Sequence, residues 1–277
     1  MELTKKQIEF YNSNGYLIIE ECFKGGEIQQ LREAIPQAIE SQSPRVIMEN
    51  NGEIRSIFAP HFSSDVYSKL ARHPKLVRPA EQLLSDKIYL HQYKINSKKG
   101  LKGDWWEWHQ DFPYWHLDDG IPNPDMVSVM IYLQDVDYTN GPLLVIPGSH
   151  KLGIVKFADK DFSDTENIEK FNQHTETEFL TSLTSNIKFT VHENFIRETA
   201  LANGIVSTVG RQGTVLFFHG NIFHASNVNL SPVDRDVVII TYNSINNLPQ
   251  RIENPRPEYL AGKDYRPLIA EETGLFY

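Results

Sequence analysis

The chain has 277 residues, 40% of them hydrophobic, enough to bury a substantial core within one expected domain, and 27 basic against 36 acidic residues give a formal charge of −9 with no Lys/Arg block to receive phosphates. That balance argues against a nucleic-acid partner. The start MELTKKQIEF has no apolar signal core and the longest apolar runs are too short to cross a bilayer, so a cytoplasmic protein with no membrane partner is expected. Cys22 is the single cysteine, which excludes an internal disulfide and a thiolate cluster, and any metal must be held by His and carboxylate.

In chain order, Thr4 and Gln7 form a capping-box pattern that predicts a helix over Lys5 to Ser13, stopped at Gly15 before the apolar strand Tyr16 to Ile19. Ile28, Leu31, Ile35 and Ile39 recur at helical spacing, with Pro36 expected to kink or divide that helix. Residues 65–84 read as helical, with Pro74 and Pro79 expected to break the run. From Lys87 onward the chain becomes short β-rich runs punctuated by Gly, Pro and Asn, the texture of an antiparallel sandwich or barrel. The helical front of about residues 1–86 is expected to pack on a β core of about 87–250. Residues 151–200 are polar and weakly periodic, and read as an excursion between strands that could serve as a lid.

The strongest local anomaly is that Trp105, Trp106, Trp108 and Trp115, all 4 tryptophans of the chain, crowd around His109, Asp111 and His116. On an extended strand, alternate side chains share a face, so His109 and Asp111 are expected to point at one ion from a rigid element. Two imidazoles and a carboxylate, with adjacent positions left open, suit an iron(II) oxygenase; zinc fits the same donors. The third ligand is either His219 or His224. Arg235 opens a strand on which Arg235, Val237, Ile239, Thr241 and Asn243 share a face, and its guanidinium there matches a dicarboxylate such as 2-oxoglutarate bidentately. The plainer alternative is a surface ion pair of Arg235 with Asp234 or Asp236. On the earlier strand, Gln92, Lys94 and Asn96 share a face and can offer two amides and an amine to a cavity.

The runs Trp108-His-Gln-Asp-Phe112, Trp115-His116, Asp118-Asp-Gly-Ile-Pro122, Asn140-Gly-Pro-Leu and Pro147-Gly-Ser-His150 resemble the phytanoyl-CoA dioxygenase superfamily, and within it the ectoine hydroxylases. The late pattern His224, Ser226, Asn229, Ser231 and Arg235 matches as well, as do Tyr242-Asn-Ser244 and Gln92 with Asn96. The resemblance implies a double-stranded β-helix, a cupin-like jelly roll with helices packed on one sheet. It implies iron(II) at His109, Asp111 and His224, selecting His224 over His219. It further implies 2-oxoglutarate held by Arg235 with Asn96, Ser128 and Ser226, O₂ as cosubstrate, ascorbate as a supporting reductant, and substrate beside Gln92, Lys94, Trp115 and Ile239. His116 and His150 are expected to be structural, and Gly141 and Gly148 to sit in turns.

Two positions depart from the ectoine hydroxylase pattern: Lys94 replaces an Arg and Ile239 replaces a Phe. A planar fork and an aromatic wall are lost, so ectoine is not specifically favoured. The expected function is therefore hydroxylation of an unactivated C–H bond in a small polar, amino-acid-like or natural-product molecule. The alternatives are desaturation, epoxidation or ring closure by the same oxidant, a metal hydrolase on a cupin-like barrel, and a silent binding module.

Overall fold

A computed structural model describes residues 1–39, 43–49, 51–158 and 187–271. The front half is α1 (Lys5–Asn14), β1 (Tyr16–Ile19), α2 (Gly25–Glu33), α3 (Ile35–Ala38), β2 (Val46–Met48), β3 (Ile54–Phe58), α4 (Asp65–Ala71) and α5 (Pro74–Leu84). The remainder is β4 (Ile88–Lys98), β5 (Trp106–His109), α6 (Phe112–Asp119), β6 (Met126–Tyr132), β7 (Leu143–Val145), α7 (Glu193–Asn203), β8 (Val206–Ser207), β9 (Val215–His219), β10 (His224–Ser226) and β11 (Arg235–Ser244). Among the described residues two antiparallel sheets form, a seven-stranded one in the order β1-β9-β6-β11-β4-β3-β2 and a four-stranded one in the order β5-β10-β7-β8. This is the antiparallel sandwich that the β-rich texture predicts and the jelly roll that the resemblance implies.

Local signals account for the helical front. Thr4 caps α1, with its hydroxyl accepting from the Gln7 amide and the Gln7 side chain accepting from the Thr4 amide, and Gly15 at φ 80° ends the helix in the left-handed region. Pro36 divides the second helical pattern into α2 and α3. Pro74 likewise begins α5, where its missing N–H costs nothing. Pro79 does not break the run, contrary to expectation: it lies inside α5, fully packed beside Leu76, Val77 and Ala80, and the burial of that face against the sheet outweighs one lost helical hydrogen bond. Ile28, Leu31, Leu70 and Leu76 join Tyr93, Ile95, Val129, Phe217, Val238 and Ile240 in one core between the helices and the larger sheet. The opposite face of that sheet looks into the sandwich.

The lid expected within residues 151–200 falls mostly on 159–186, outside the described residues. Its flanks are ordered against the sandwich: Thr190 bridges to His109, Val191 bridges to Phe157, and α7 follows.

Candidate metal centre

β5 and β10 are adjacent in the smaller sheet, with His109 and His224 as direct register partners. Asp111 is not on the strand, as the H-x-D spacing had suggested. β5 ends at His109, Gln110 is fixed by donating its amide to the carbonyls of Gly153 (2.7 Å) and Asn221 (2.8 Å), and Asp111 adopts helical backbone as the N-cap residue of α6. The turn from strand into helix, rather than strand alternation, swings the carboxylate beside the imidazoles. Asp111 Oδ1 lies 3.7 Å from His109 Nε2, and Oδ2 lies 3.8 Å from His224 Nε2. One ligand atom from each of the three residues lies within 4.8 Å of the others.

The donors have the form an ion requires. His109 Nδ1 is 2.7 Å from the Glu107 carbonyl and His224 Nδ1 is 3.0 Å from the Ile222 carbonyl, so each ring donates its Nδ1 proton backward and turns an Nε2 lone pair inward. Burial first, and then the neighbouring His224, push the His109 imidazolium down to about 3, so that ring is neutral at physiological pH. Burial works to raise the Asp111 carboxyl, but His224, Lys94 and His109 outweigh it and hold it below the ordinary carboxylate value. Two inward-facing imidazole nitrogens and one carboxylate on one side, with a cavity on the other, fit a divalent ion with open positions.

That cavity lies between the sheets and is lined by Lys94, Asn96, Lys98, Trp106, Ser226, Arg235 and Ile239, among others. Arg235 is buried and makes no pair with either flanking aspartate: Asp234 takes Lys99, while Asp236 takes Ser97 and Gln134. Its Nη2 donates to the Gly141 carbonyl (2.6 Å) and to Ser226 Oγ (3.4 Å), and burial lowers its proton affinity only to about 10, so it stays charged. Asn96 Oδ1 accepts from Ser56, and Ser128 stands one layer back, bonded to Thr241 at 3.0 Å. Lys94 is held over the Phe58 ring at 5.8 Å.

Other expected residues are elsewhere. Gln92 is turned away: a bulge pairs Thr241 with Gln92 but Tyr242 with Leu90, and the Gln92 amide donates to the Leu260 carbonyl at 2.8 Å, fastening the C-terminal segment. Trp115 is a core residue of α6, its ring 5.8 Å from His91 and its edge against Gly220, rather than a wall of the cavity. The tryptophan beside the triad is Trp106, capped by the Arg55 guanidinium 3.8 Å above its ring. His219 lies off the triad, its Nδ1 accepting from the Asn221 amide. His116 bonds the Ile121 carbonyl and His150 the Asn12 carbonyl. Gly141 and Gly148 both sit at φ 76°.

Two groups escaped the sequence reading. Lys98 continues the Gln92, Lys94, Asn96 face by one more step of two, so its signal was the same periodicity carried further. Arg256 had no local signal. It arrives from the irregular C-terminal segment, grips Asp119 through Nε (2.6 Å) and Nη2 (2.5 Å), and with His91 lines a separate cavity of about 370 Å³.

The family model for phytanoyl-CoA dioxygenase matches residues 11–237. The chain belongs to the phytanoyl-CoA dioxygenase family. This family member is 34% identical over 260 residues to L-proline trans-4-hydroxylase of Streptomyces griseoviridis, covering 94% of this chain and 92% of that one. It is 32% identical over 281 residues to ectoine dioxygenase of Sphingopyxis alaskensis, covering 98% and 87%. The crystal structure of EctD from S. alaskensis with 2-oxoglutarate and 5-hydroxyectoine superposes with a TM-score of 0.79 at 30% identity, over 98% of this chain and 88% of that one. EctD with bound Fe gives a TM-score of 0.77 at 30% identity, over 99% and 89%. Like them, this phytanoyl-CoA dioxygenase family member is a 2-oxoglutarate-dependent non-haem iron dioxygenase. Among the described residues, no helix is long and apolar enough to cross a membrane.

Proposed function

We propose that the enzyme hydroxylates an unactivated C–H bond of a small amino acid that presents a carboxylate, L-proline being the first candidate. The observation that carries this reading is the pairing of one divalent-ion triad with three basic side chains, the buried Lys98 and Arg235 and the half-buried Lys94, on the same cavity. The triad supplies one negative charge through Asp111, and 2-oxoglutarate brings two more against the two positive charges of iron(II). Arg235 balances the remainder, which leaves Lys94 for an anionic substrate.

In this reading His109, Asp111 and His224 hold the iron. Bound there, iron(II) with 2-oxoglutarate and O₂ supplies oxidative decarboxylation to succinate and CO₂ and delivers the hydroxyl group. The chain's own residues position and exclude. Arg235 takes the distal carboxylate of 2-oxoglutarate, with Ser226 and Asn96 beside it and Ser128 supporting through Thr241. Lys94, half-buried on the cavity wall, offers an ammonium to the substrate carboxylate, while Ile239 and Trp106 form apolar walls that keep water from the reacting carbon. Lys94 and Ile239, standing where ectoine hydroxylases have Arg and Phe, favour a compact aliphatic amino acid over a planar cyclic amidine. The 34% identity to L-proline trans-4-hydroxylase supports the same class.

The test is substrate-dependent succinate release with Fe(II), 2-oxoglutarate and ascorbate across L-proline, other amino acids and ectoine. L-Proline or a close analogue should give a hydroxylated product, with ascorbate sustaining turnover. Turnover of ectoine alone would refute the substrate assignment.

A further inference from the structure

We infer that Arg55 is a positioning residue for this reaction, holding the Trp106 ring in place as the wall that seals the metal cavity against water. The inference rests on the wall role given to Trp106 above. Two bulges, one in each sheet, turn these side chains toward each other. On β5, Trp106 is the register partner of Ser226 and His109 that of His224, so three steps on one strand span two on the other. Strict alternation would put residues three apart on opposite faces. The extra residue brings both inward, with the indole and imidazole centroids 6.2 Å apart and Trp106 on the cavity wall.

On β3, Ser56 pairs with Ile47 but Ile54 pairs with Met48, so Arg55 is the extra residue of a second bulge. Ser56 faces the cavity side, its hydroxyl donating to Asn96 Oδ1 at 2.8 Å, while Ile57 packs into the helical core. Regular pleating would send Arg55 to that core as well. The bulge aims it instead from the larger sheet to the smaller one, where its guanidinium carbon lies 3.8 Å from the centroid of the Trp106 ring.

The guanidinium is locked there. Arg55 is 3% exposed; Nη1 donates to Glu49 Oε1 at 3.3 Å and Nη2 to the Trp105 carbonyl at 3.2 Å, so one arm of its fork holds the end of the β2–β3 hairpin and the other holds the residue before the indole. Glu49 Oε1 also accepts from the Asp104 amide at 3.3 Å, tying the approach to β5 to the same carboxylate. Arg55 Nε is buried with no hydrogen-bond partner among the described residues. A buried ion pair with an unsatisfied donor is a poor source of stability, since well-packed apolar side chains fill such a place at least as well. What they would not supply is a flat cation lying on the indole, which fixes the tilt of a ring that lines the cavity. A wall free to tilt admits water, and water beside the metal lets cosubstrate be consumed without hydroxylation of substrate. Arg55 acts on that coupling through Trp106 and touches neither substrate nor cosubstrate.

The experiment compares wild type, Glu49→Gln, Arg55→Lys and the double variant Glu49→Gln/Arg55→Met, the last built so that no buried carboxylate is left unpaired. The first reading is acrylamide quenching of Trp106 fluorescence in the iron-free protein, taken as the difference between each form and the same form carrying Trp106→Phe. The second is succinate released per L-proline hydroxylated by the Fe(II)-loaded protein. Wild type should show a shielded Trp106 and tightly coupled turnover. The double variant should raise both readings by roughly twofold or more. Glu49→Gln, which keeps the stack, and Arg55→Lys, which keeps a cation over the ring, should stay close to wild type in both. A double variant as shielded and as coupled as wild type overturns the inference. So does Glu49→Gln matching the double variant, which would assign the effect to the ion pair. The wild-type quenching needs no variant at Arg55 to fold, and a Trp106 as accessible as Trp105, which is 48% exposed, overturns it equally. Failure to turn over L-proline refutes the substrate assignment alone, because quenching is read without iron or substrate and still decides the role of Arg55.

Discussion

His109 and His224 face each other as register partners on neighbouring antiparallel strands, their ring centroids 4.0 Å apart. Two imidazoles cannot both be protonated at that separation, and with each Nδ1 occupied by a backbone carbonyl the pair is set to share one ion with Asp111. His219 lacks this: its ring stands 5.1 Å from His150, on another strand. His224→Ala is expected to abolish Fe(II) binding, read by metal analysis after dialysis, and with it turnover. His219→Ala should retain both. Iron retained by His224→Ala and lost from His219→Ala would reverse the assignment.

Arg235 meets the cavity through the edge of its guanidinium beside Ser226. Arg235→Ala should raise the apparent KM for 2-oxoglutarate by roughly ten- to hundredfold, the effect of losing a charge-assisted contact, with a smaller effect on kcat at saturating cosubstrate. Arg235→Lys should recover part of that loss, since it restores the charge but not the fork. An unchanged KM in Arg235→Ala would place the anchor elsewhere.

Acid should destabilise the metal-free protein well above the carboxylate range. Burial lowers His61 and His219 to about 4 and His109 to about 3, so these rings stay neutral in the folded chain while the unfolded chain protonates them below about 6.5. Their depressed folded values mean the stability they contribute is complete above about pH 6.5 and is lost as pH falls toward 4, at roughly 1.4 kcal/mol per pH unit for each ring. Thermal melts in chelator should show Tm falling between about pH 6.5 and 5. The His219→Gln variant should show a shallower fall, and identical slopes would exclude His219 from the effect.

Asp119 and Arg256 form a bidentate ion pair with both side chains 2% exposed, and His91 Nε2 reaches the same carboxylate at 3.1 Å. Asp119→Ala strands a buried guanidinium, so the expected cost is about 3–5 kcal/mol in a urea titration, far more than removing an exposed pair such as Asp264 with Arg266. Because Gln92 and His91 also hold Leu260 and Gly262, limited proteolysis of Asp119→Ala should cut first within 249–265. A loss below about 1 kcal/mol would mean the pair contributes no more than a surface one.

Asp111 occupies the carboxylate corner of the triad, where a halide would otherwise have to sit. Turnover under ¹⁸O₂ in excess chloride should therefore give a product carrying one labelled oxygen and no chlorine. A product two mass units lighter than substrate would instead indicate desaturation or ring closure.

Local pattern was enough for several features of this chain. The capping box of Thr4 and Gln7, the division at Pro36, the β-rich texture after Lys87 and the face shared by Lys94 and Asn96 depend on neighbours within a few residues, and periodicity encodes such relations directly. The motifs also brought His109, Asp111, His224 and Arg235 onto one list. What periodicity encodes is which residues share a face, never what that face meets. Gln92 shares the alternation of Lys94, yet a single bulge and the arrival of Leu260 turn its amide to the C-terminal segment. The family resemblance put Trp115 beside the substrate, but α6 carries it into the core and leaves Trp106 beside the triad. Asp111 reaches the imidazoles through a strand-to-helix turn, Arg256 reaches Asp119 across 137 residues, and Lys98 meets Arg235 across 137 more. Those meetings were decided by sheet register and chain return, because contacts between distant residues are fixed by the packing of whole elements and leave no periodic trace in either segment alone.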